Sequence, residues 1–526
     1  MSYTVVLDID RDYTFDNVLD NISNYVLDAN WNYGGVTFGG QVGTYAEMLP
    51  PSRSTIRLLD NVGALNLSNP SASYYNKLKK GVLVRLSHGA TQLFEHRIVR
   101  ISSTSLLQDG SRYVTLECCD PTENWFSSNY IARLQKTVRI DEIIADTLSD
   151  VTLPYPYPIS GAVAGLATVG VSKVGNYLNF VDLEQARTTL DYAGDIESED
   201  TSVTAHLAKH LRAEGGGRLF WSRDAKVRFH DRYFDFTSQN PSFISLDDTD
   251  LIEYQTAHGD ALFNSITTHY RVRQLGTPLT KIAEATNLPI KITQGSYRNF
   301  TLRFRDFSGN DLQVASDDVL TPVVGVDVIC YDGESGGVVD NNFVAVGVDK
   351  IGAQEIRFSV NNNSAYNDPR SKDRWIHTLQ VRGTPLYSHD RQSIALSDSA
   401  SILANGKYSL ELNYDVIHDA DFATSLTRYL LNRYKSNAEY ITSLMFVAWE
   451  GNINTLKLID IGTLLNITSS VGILSGEYVV IGQEWSISAD DSVQSIVTLY
   501  VKPTLREPVA VVGRAIVGTT SATVAL

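Results

Sequence analysis

Short runs of strand-forming residues dominate the chain. Residues 54–61, 78–85, 93–101 and 113–121 are each rich in Leu, Ile and Val and bounded by Gly, Asn, Asp or Pro. That pattern predicts antiparallel strands folded into a small barrel or sandwich that closes near Trp125. The period then changes. Residues 139–148 carry apolar side chains at helical spacing, and 201–214 do so more clearly, with Asp200 or Thr201 as cap and Gly215 to Gly217 as stop. Between these helices, Pro154, Pro156 and Pro158 and a Gly/Ala/Val stretch to Gly175 predict a loop or extended arm. Residues 218–222 and 226–232 predict a hairpin turning at Arg223, Asp224 and Ala225.

Residues 264–273 alternate as a strand. The runs 299–305, 323–330, 343–346, 355–360 and 375–381, separated by Gly, Asn and Asp, predict a β-sandwich set between strands of its host. The strongest helix spans 419–435, with acids at its start, bases at its end and Phe422, Leu426, Tyr429, Leu430 and Arg433 on one side. Strands follow at 441–447, 464–467, 477–481 and 495–501. The chain thus reads as mainly β with a few helices, a β-rich α+β protein. Its divisions are a barrel at 1–126, a helix-containing connecting domain with hairpin at 127–240, returning strands at 241–279, an inserted sandwich at 280–386, a second barrel at 387–505 and a tail at 506–526. The tail carries its last charge at Arg514 and reads either as a frayed terminus or as a strand added to a neighbour.

The length of 526 residues calls for several cores. A balance of 44 Lys plus Arg against 60 Asp plus Glu, net charge -16, argues against nucleic-acid binding as the main task, since phosphate contact is supplied by basic residues. An acidic wall would let DNA pass without holding it. Cys118 and Cys119 are adjacent on a strand and point to opposite faces, so with Cys330 they read as reduced, buried thiols of a protein folded in a reducing cytoplasm. The N-terminus reads as no signal peptide, and no run reaches the roughly 18 apolar residues of a membrane span; no membrane insertion is expected.

Chemistry is sparse. Asp8 and Asp10 after an apolar run match the paired aspartates of a phosphotransferase, but Asp12 stands where Thr or Val belongs and no alternation of strand and helix follows. As a calcium loop the same segment fails at Tyr13 and Leu19, so these acids read as a solvated edge, and the acids at 195–200 and 247–250 as solvated loops. His206 and His210 have helical spacing, but Leu207 replaces the metalloprotease glutamate, and both read as surface histidines. Gly333, Ser335 and Gly337 spell a nucleophile elbow with no helix after it. No catalytic residue, metal site or cofactor is expected. Trp375, Tyr366 and Tyr331 are candidates for stacking against a glycan.

The order of pieces resembles the baseplate or tail-tip hub proteins of long-tailed bacteriophages and related contractile injection systems. In the first barrel the resemblance rests on Asp60 and Asn61, the linker 68–75, Lys80 and Gly81 before Val84 and Arg85, Leu93 and Phe94, and the closing segment from Glu117 to Asp120. It continues through the helix, glycine stop and hairpin of the middle segment. It is most specific near Ser397 to Ser401, in the helix with Leu430, Leu431, Asn432 and Arg433, and in the segments 460–462, 476–480 and 482–485. It covers most of the chain, least in the insert and after Pro503. The resemblance implies two barrels of tail-tube type in a homotrimeric ring. Such a ring links a tail tube or distal tail protein to a tip spike, fibre or tape-measure protein and lines a path for DNA or effector. It implies a virion-tail location for a protein made in the host cytoplasm. The alternative is a host-attachment adhesin that binds a receptor or glycan through the insert.

Overall fold

The computed structural model describes residues 3–10, 15–17, 19–34, 51–105, 112–120, 122–123, 130, 132–150, 181–186, 188–195, 201–215, 217–231, 234, 243–247, 251–258, 262–309, 312–364, 372–435, 439–449, 451–468, 475–488, 495–504, 509–510 and 523–524. It is a β-rich α+β chain. The first strands are β1 (Tyr3–Asp8), β2 (Val26–Gly34), β3 (Arg53–Asp60), β4 (Leu83–His88), β5 (Thr91–Ser105) and β6 (Arg112–Cys119). They pair in the order β1-β4-β5-β6-β3-β2, all antiparallel. The cause is the period of two: β3 buries Ser54, Ile56, Leu58 and Asp60 and turns the residues between them outward. Asp60 then caps the following turn, accepting from the Ala64 and Leu65 amides at 3.0 and 2.8 Å. Asp8, read above as part of a solvated edge, is buried, because pairing opposite Leu83 carries it into the sheet.

The middle segment contributes β7 (Gln135–Arg139), α1 (Ile140–Asp150), β8 (Val181–Leu183), β9 (Thr189–Ala193), α2 (Val203–Glu214), β10 (Arg218–Trp221) and β11 (Val227–His230). Helix α2 starts one residue later than expected. Ser202, not Asp200 or Thr201, lies in extended backbone and accepts from the Ala205 amide, while Gly215 at φ +71° ends the helix in the left-handed conformation that glycine adopts without strain. His206 and His210 are buried rather than on the surface. Tyr130 covers His206 at 4.7 Å between ring centroids, and His210 Nδ1 bonds the His206 carbonyl at 2.8 Å. Strands β10 and β11 form the expected hairpin, with β8 parallel to β11.

Next come β12 (Phe243–Asp247), β13 (Leu251–His258) and β14 (Ser265–Leu275). The stretch that follows holds β15 (Thr280–Glu284), β16 (Ile290–Ile292), β17 (Tyr297–Arg303), β18 (Gln313–Asp317), β19 (Val328–Tyr331), β20 (Val344–Ile351), β21 (Glu355–Asn362) and β22 (Arg374–Ser397). Residues from Ile282 to Val381 build a hydrophobic core of their own, centred on Val328, Cys330, Phe358 and Ile376. Strand β22 is 24 residues long. Its first half pairs with β15, β16 and β19, and its second half with β14. One unbroken strand therefore joins sandwich to body, and residue 386 falls inside it. The sandwich also touches the middle segment, through Ala353 to Ala132 at 2.9 Å, Gln354 to the Asp195 carbonyl at 2.6 Å, and a Lys136–Asp317 ion pair.

The remainder comprises α3 (Ser399–Asn405), β23 (Ser409–Tyr414), α4 (Ala420–Tyr434), β24 (Glu439–Ala448), α5 (Ile453–Leu456), β25 (Leu464–Thr468), β26 (Gly476–Ser488), β27 (Ser495–Pro503), β28 (Val509–Ala510) and β29 (Thr523–Val524). Of the tail, the described residues are two short strands paired with each other. Asp419 caps α4, whose buried face is Ala423, Leu426, Thr427, Leu430, Leu431 and Tyr434; Phe422 and Tyr429 pack at its margin. Strands β24, β26 and β27 do not stand apart from the first six. β26 pairs with β2 from Asp28↔Ser488 to Gly34↔Gly482, so the first and last strand modules, together with β12 and β13, form one 12-stranded sheet with one core from Val5 to Val501.

Candidate functional site

Three places concentrate interactions between distant parts of the chain. The first is the seam between the two strand modules. Trp31 and Trp485 are opposite in register on β2 and β26, and the ring row extends from Trp31 to Phe94 at 5.2 Å, then Phe94 to His96 at 4.8 Å and His96 to Tyr33 at 5.7 Å. His96 is fully buried between two serines. Its Nε2 lies 3.0 Å from Ser52 Oγ, and its Nδ1 2.8 Å from Ser54 Oγ. Ser52 donates to Asp120 Oδ2 at 2.7 Å, so its oxygen is left to accept from His96 Nε2–H. The set contains Ser, His and Asp, but the carboxylate holds the serine instead of orienting the histidine, and all three side chains are buried. It is a satisfied polar core, not a nucleophile with access to substrate. Burial alone lowers the His96 pKa to about 3, and burial raises that of Asp120 against the bonds from Thr122 and Ser52.

The second place is the tip of the β10–β11 hairpin. Arg223 donates to the Lys457 carbonyl and, at 3.4 and 3.2 Å, to those of Ile459 and Leu458, in the segment that follows α5. Asp460 Oδ2 stands 3.9 Å from Arg223 Nε, and the Arg223 carbonyl accepts from Gln92 Nε2 at 2.6 Å. One residue thus ties the first module, the middle segment and the last module. Sequence reasoning located the hairpin and the turn at Asp460 but not their meeting; a lone arginine in a two-strand turn was the available signal.

The third place is the outer face of the sandwich. Trp375 on β22 is opposite Tyr331 on β19 and Lys291 on β16, and His377 packs on Tyr331 at 4.6 Å in an edge geometry. Lys291 Nζ lies 5.6 Å from the Trp375 ring centre and 2.6 Å from Asp373. The fold therefore brings together Trp375 and Tyr331. Tyr366 lies outside the described residues. His377 and Lys291 were missed, because assigning them needs the strand pairing.

Among the described residues no group of three or more His, Cys, Asp and Glu is placed to hold a metal ion, and no helix is long and apolar enough to cross a membrane. Ser335 is exposed in a turn.

No family model matches the chain, and no curated protein matches it in sequence. Among solved structures it is similar to the 43 kDa tail protein of prophage MuSo2 from Shewanella oneidensis, with 9% identity and a TM-score of 0.47 over 95% of this chain and 98% of that one. A tail protein from Neisseria meningitidis MC58 gives 9% identity, 95% and 97% coverage and a TM-score of 0.46. An E. coli protein described as a component of the type VI secretion system gives 11% identity, 92% and 78% coverage and a TM-score of 0.35.

Proposed function

We propose that the chain is a structural hub subunit at the tip of a long phage tail or a related injection machine. The observation that carries this reading is the fusion of the first and last strand modules into one sheet through β2 and β26, clamped at Arg223. A part that passes force between a tube and a tip needs two strand modules held at a fixed mutual angle, and a continuous ladder with an aromatic seam supplies that. Three copies with two such modules each offer a six-fold repeat to a hexameric tube and a three-fold one to a spike or fibre. The partners are further copies of itself, a tail tube or distal tail protein, and a spike, fibre or tape-measure protein. The net charge of -16 suits a wall past which DNA slides without specific binding.

The test is the mass of the purified chain by light scattering, followed by averaged electron images with and without a tube protein. A trimeric ring with a central pore supports the hub. A monomer that forms no ring even beside a tube protein removes it.

A further inference from the structure

The aromatic residues on this face of the sandwich lie outside its hydrophobic core. Trp375 and Tyr331 belong to neither hydrophobic core; both are half-buried, while their strand neighbours Arg374, Ile376 and Cys330 fill the interior. A tryptophan and a tyrosine opposite each other on paired strands put two aromatic side chains on one face of the sheet, beside Val339, which is 50% exposed and bridged to Tyr331.

Several polar atoms around these rings keep hydrogen-bonding capacity for a ligand. Among the described residues neither the Trp375 indole N–H nor the Tyr331 hydroxyl makes a hydrogen bond. His377 Nε2 meets the Gly333 carbonyl at 3.2 Å; a carbonyl only accepts, so Nε2 carries the proton and Nδ1 remains an acceptor. The Lys291–Asp373 pair is partly exposed, its side chains 44% and 36% accessible, and keeps ammonium protons and carboxylate lone pairs for a ligand. Donors and acceptors of both kinds thus surround two aromatic rings. Sugars match that combination, since their C–H faces stack on rings and their hydroxyls both give and take hydrogen bonds.

Charge narrows the ligand class. Asp332, Glu334, Asp340 and Asp373 line this end of the sandwich against Lys291, Lys372 and the buried Arg374, and Lys372 is already held by Asp332 and Asp340 at 3.4 and 3.3 Å. Among the described residues, each cation at this end is already paired with a carboxylate, Lys291 with Asp373, Lys372 with Asp332 and Asp340, and Arg374 with Asp340, so a neutral ligand is favoured over a phosphate or uronate. We propose that this face binds neutral glycans, with Trp375 as the stacking platform, Tyr331 extending it, and His377 and the Lys291–Asp373 pair fixing the hydroxyls. The site would give a tail component a direct hold on a cell-surface polysaccharide, and it stands whatever the oligomeric state proves to be.

The test presents the full chain to an array of neutral and acidic oligosaccharides and titrates the best neutral ligand by calorimetry. Trp375→Ala should weaken binding at least about tenfold and Tyr331→Phe a few-fold. Tyr297→Ala, which removes a 65% exposed aromatic elsewhere on the sandwich, should leave affinity unchanged. Melting temperatures of the three variants, measured alongside, separate loss of ligand contact from loss of fold; if Trp375→Ala melts early, Tyr331→Phe carries the comparison. Retention of no neutral glycan, retention of acidic glycans only, or equal losses in Trp375→Ala and Tyr297→Ala would overturn the proposal.

Discussion

Trp31 and Trp485 lie face to face, 5.4 Å between ring centroids and 8° between planes, although 454 positions (485 − 31) separate them in the sequence. Both are buried, at 2% exposure. The stack is the centre of the contact between two strand modules that would otherwise each end in an open edge. Trp485→Ala and Trp31→Ala should each destabilise the chain by about 3–5 kcal/mol, as large aromatic truncations in a core do. The double variant should cost less than the sum by about 0.5–1.5 kcal/mol, the coupling of an aromatic pair. Urea denaturation of the four proteins checks this. Additive losses would show that the rings fill space without acting on each other.

Arg223 presents a second test of the same junction. Its guanidinium is bonded to the carbonyls of residues 457–459, just past α5, and its side chain is 19% exposed. Arg223→Ala should cost about 1.5–3 kcal/mol, the range for hydrogen bonds to a charged group. Arg223→Lys should recover only part, because a single ammonium cannot span three carbonyls as a planar fork does. Hydrogen exchange should quicken at 456–462 and near Gln92 in both variants. Exchange that quickened only within the hairpin would mean that Arg223 serves its own turn alone.

The local signals in the sequence were enough for elements and not for their union. Strands at 54–61, 93–101 and 113–121 were legible because a period of two and flanking turn residues are encoded locally, and the helix at 419–435 because its charges follow the dipole. The pairing of Trp31 with Trp485 left no local trace, since any two aromatic strands could meet. The burial of His206 and His210 was hidden for a related reason: their spacing marks one helix face, and only Tyr130 and the opposing elements make that face internal. At the sandwich site Trp375 and Tyr331 could be named from residue type, whereas Lys291 and His377 follow from register alone.

All three thiols should be silent in the native protein. Cys118, Cys119 and Cys330 are free and buried. Burial raises the pKa of Cys118 to about 12 and of Cys330 to about 11, and raises that of Cys119 further, with Asp120 adding to it. The thiolate is the reactive form, so a colorimetric disulfide reagent at neutral pH should label none before unfolding and three after it. Rapid labelling of one cysteine in the native state would place that strand in an open local equilibrium.

His418 should make stability pH-dependent on the acidic side. Its ring nitrogens are buried, next to Tyr192 of β9 at 5.8 Å between ring centroids, and among the described residues the polar neighbour that favours their charged form is the Asp415 backbone. Burial, then the positive charge of Arg273 on β14, then His210 on α2, lower its pKa to about 3, while a bond at the Asp415 backbone acts in the opposite sense. The fold therefore accepts the neutral ring, whereas the unfolded chain takes up a proton near pH 6.5. Between that value and about 3 the unfolded state binds more protons, so stability from this group is complete above 6.5 and falls with pH by up to about 1.4 kcal/mol per unit. His418→Gln keeps a neutral side chain of similar size and cannot titrate. The difference in unfolding free energy between wild type and variant should be constant from pH 8 to about 6.5 and should then shift against the wild type down to pH 4. Buried acids such as Asp120 and Asp460, whose raised pKa values give the opposite slope, are common to both proteins and cancel in the comparison. Parallel curves over the whole range would mean that His418 is protonated in the folded chain, and that the junction between the middle segment and β14 accommodates a further positive charge beside Arg273.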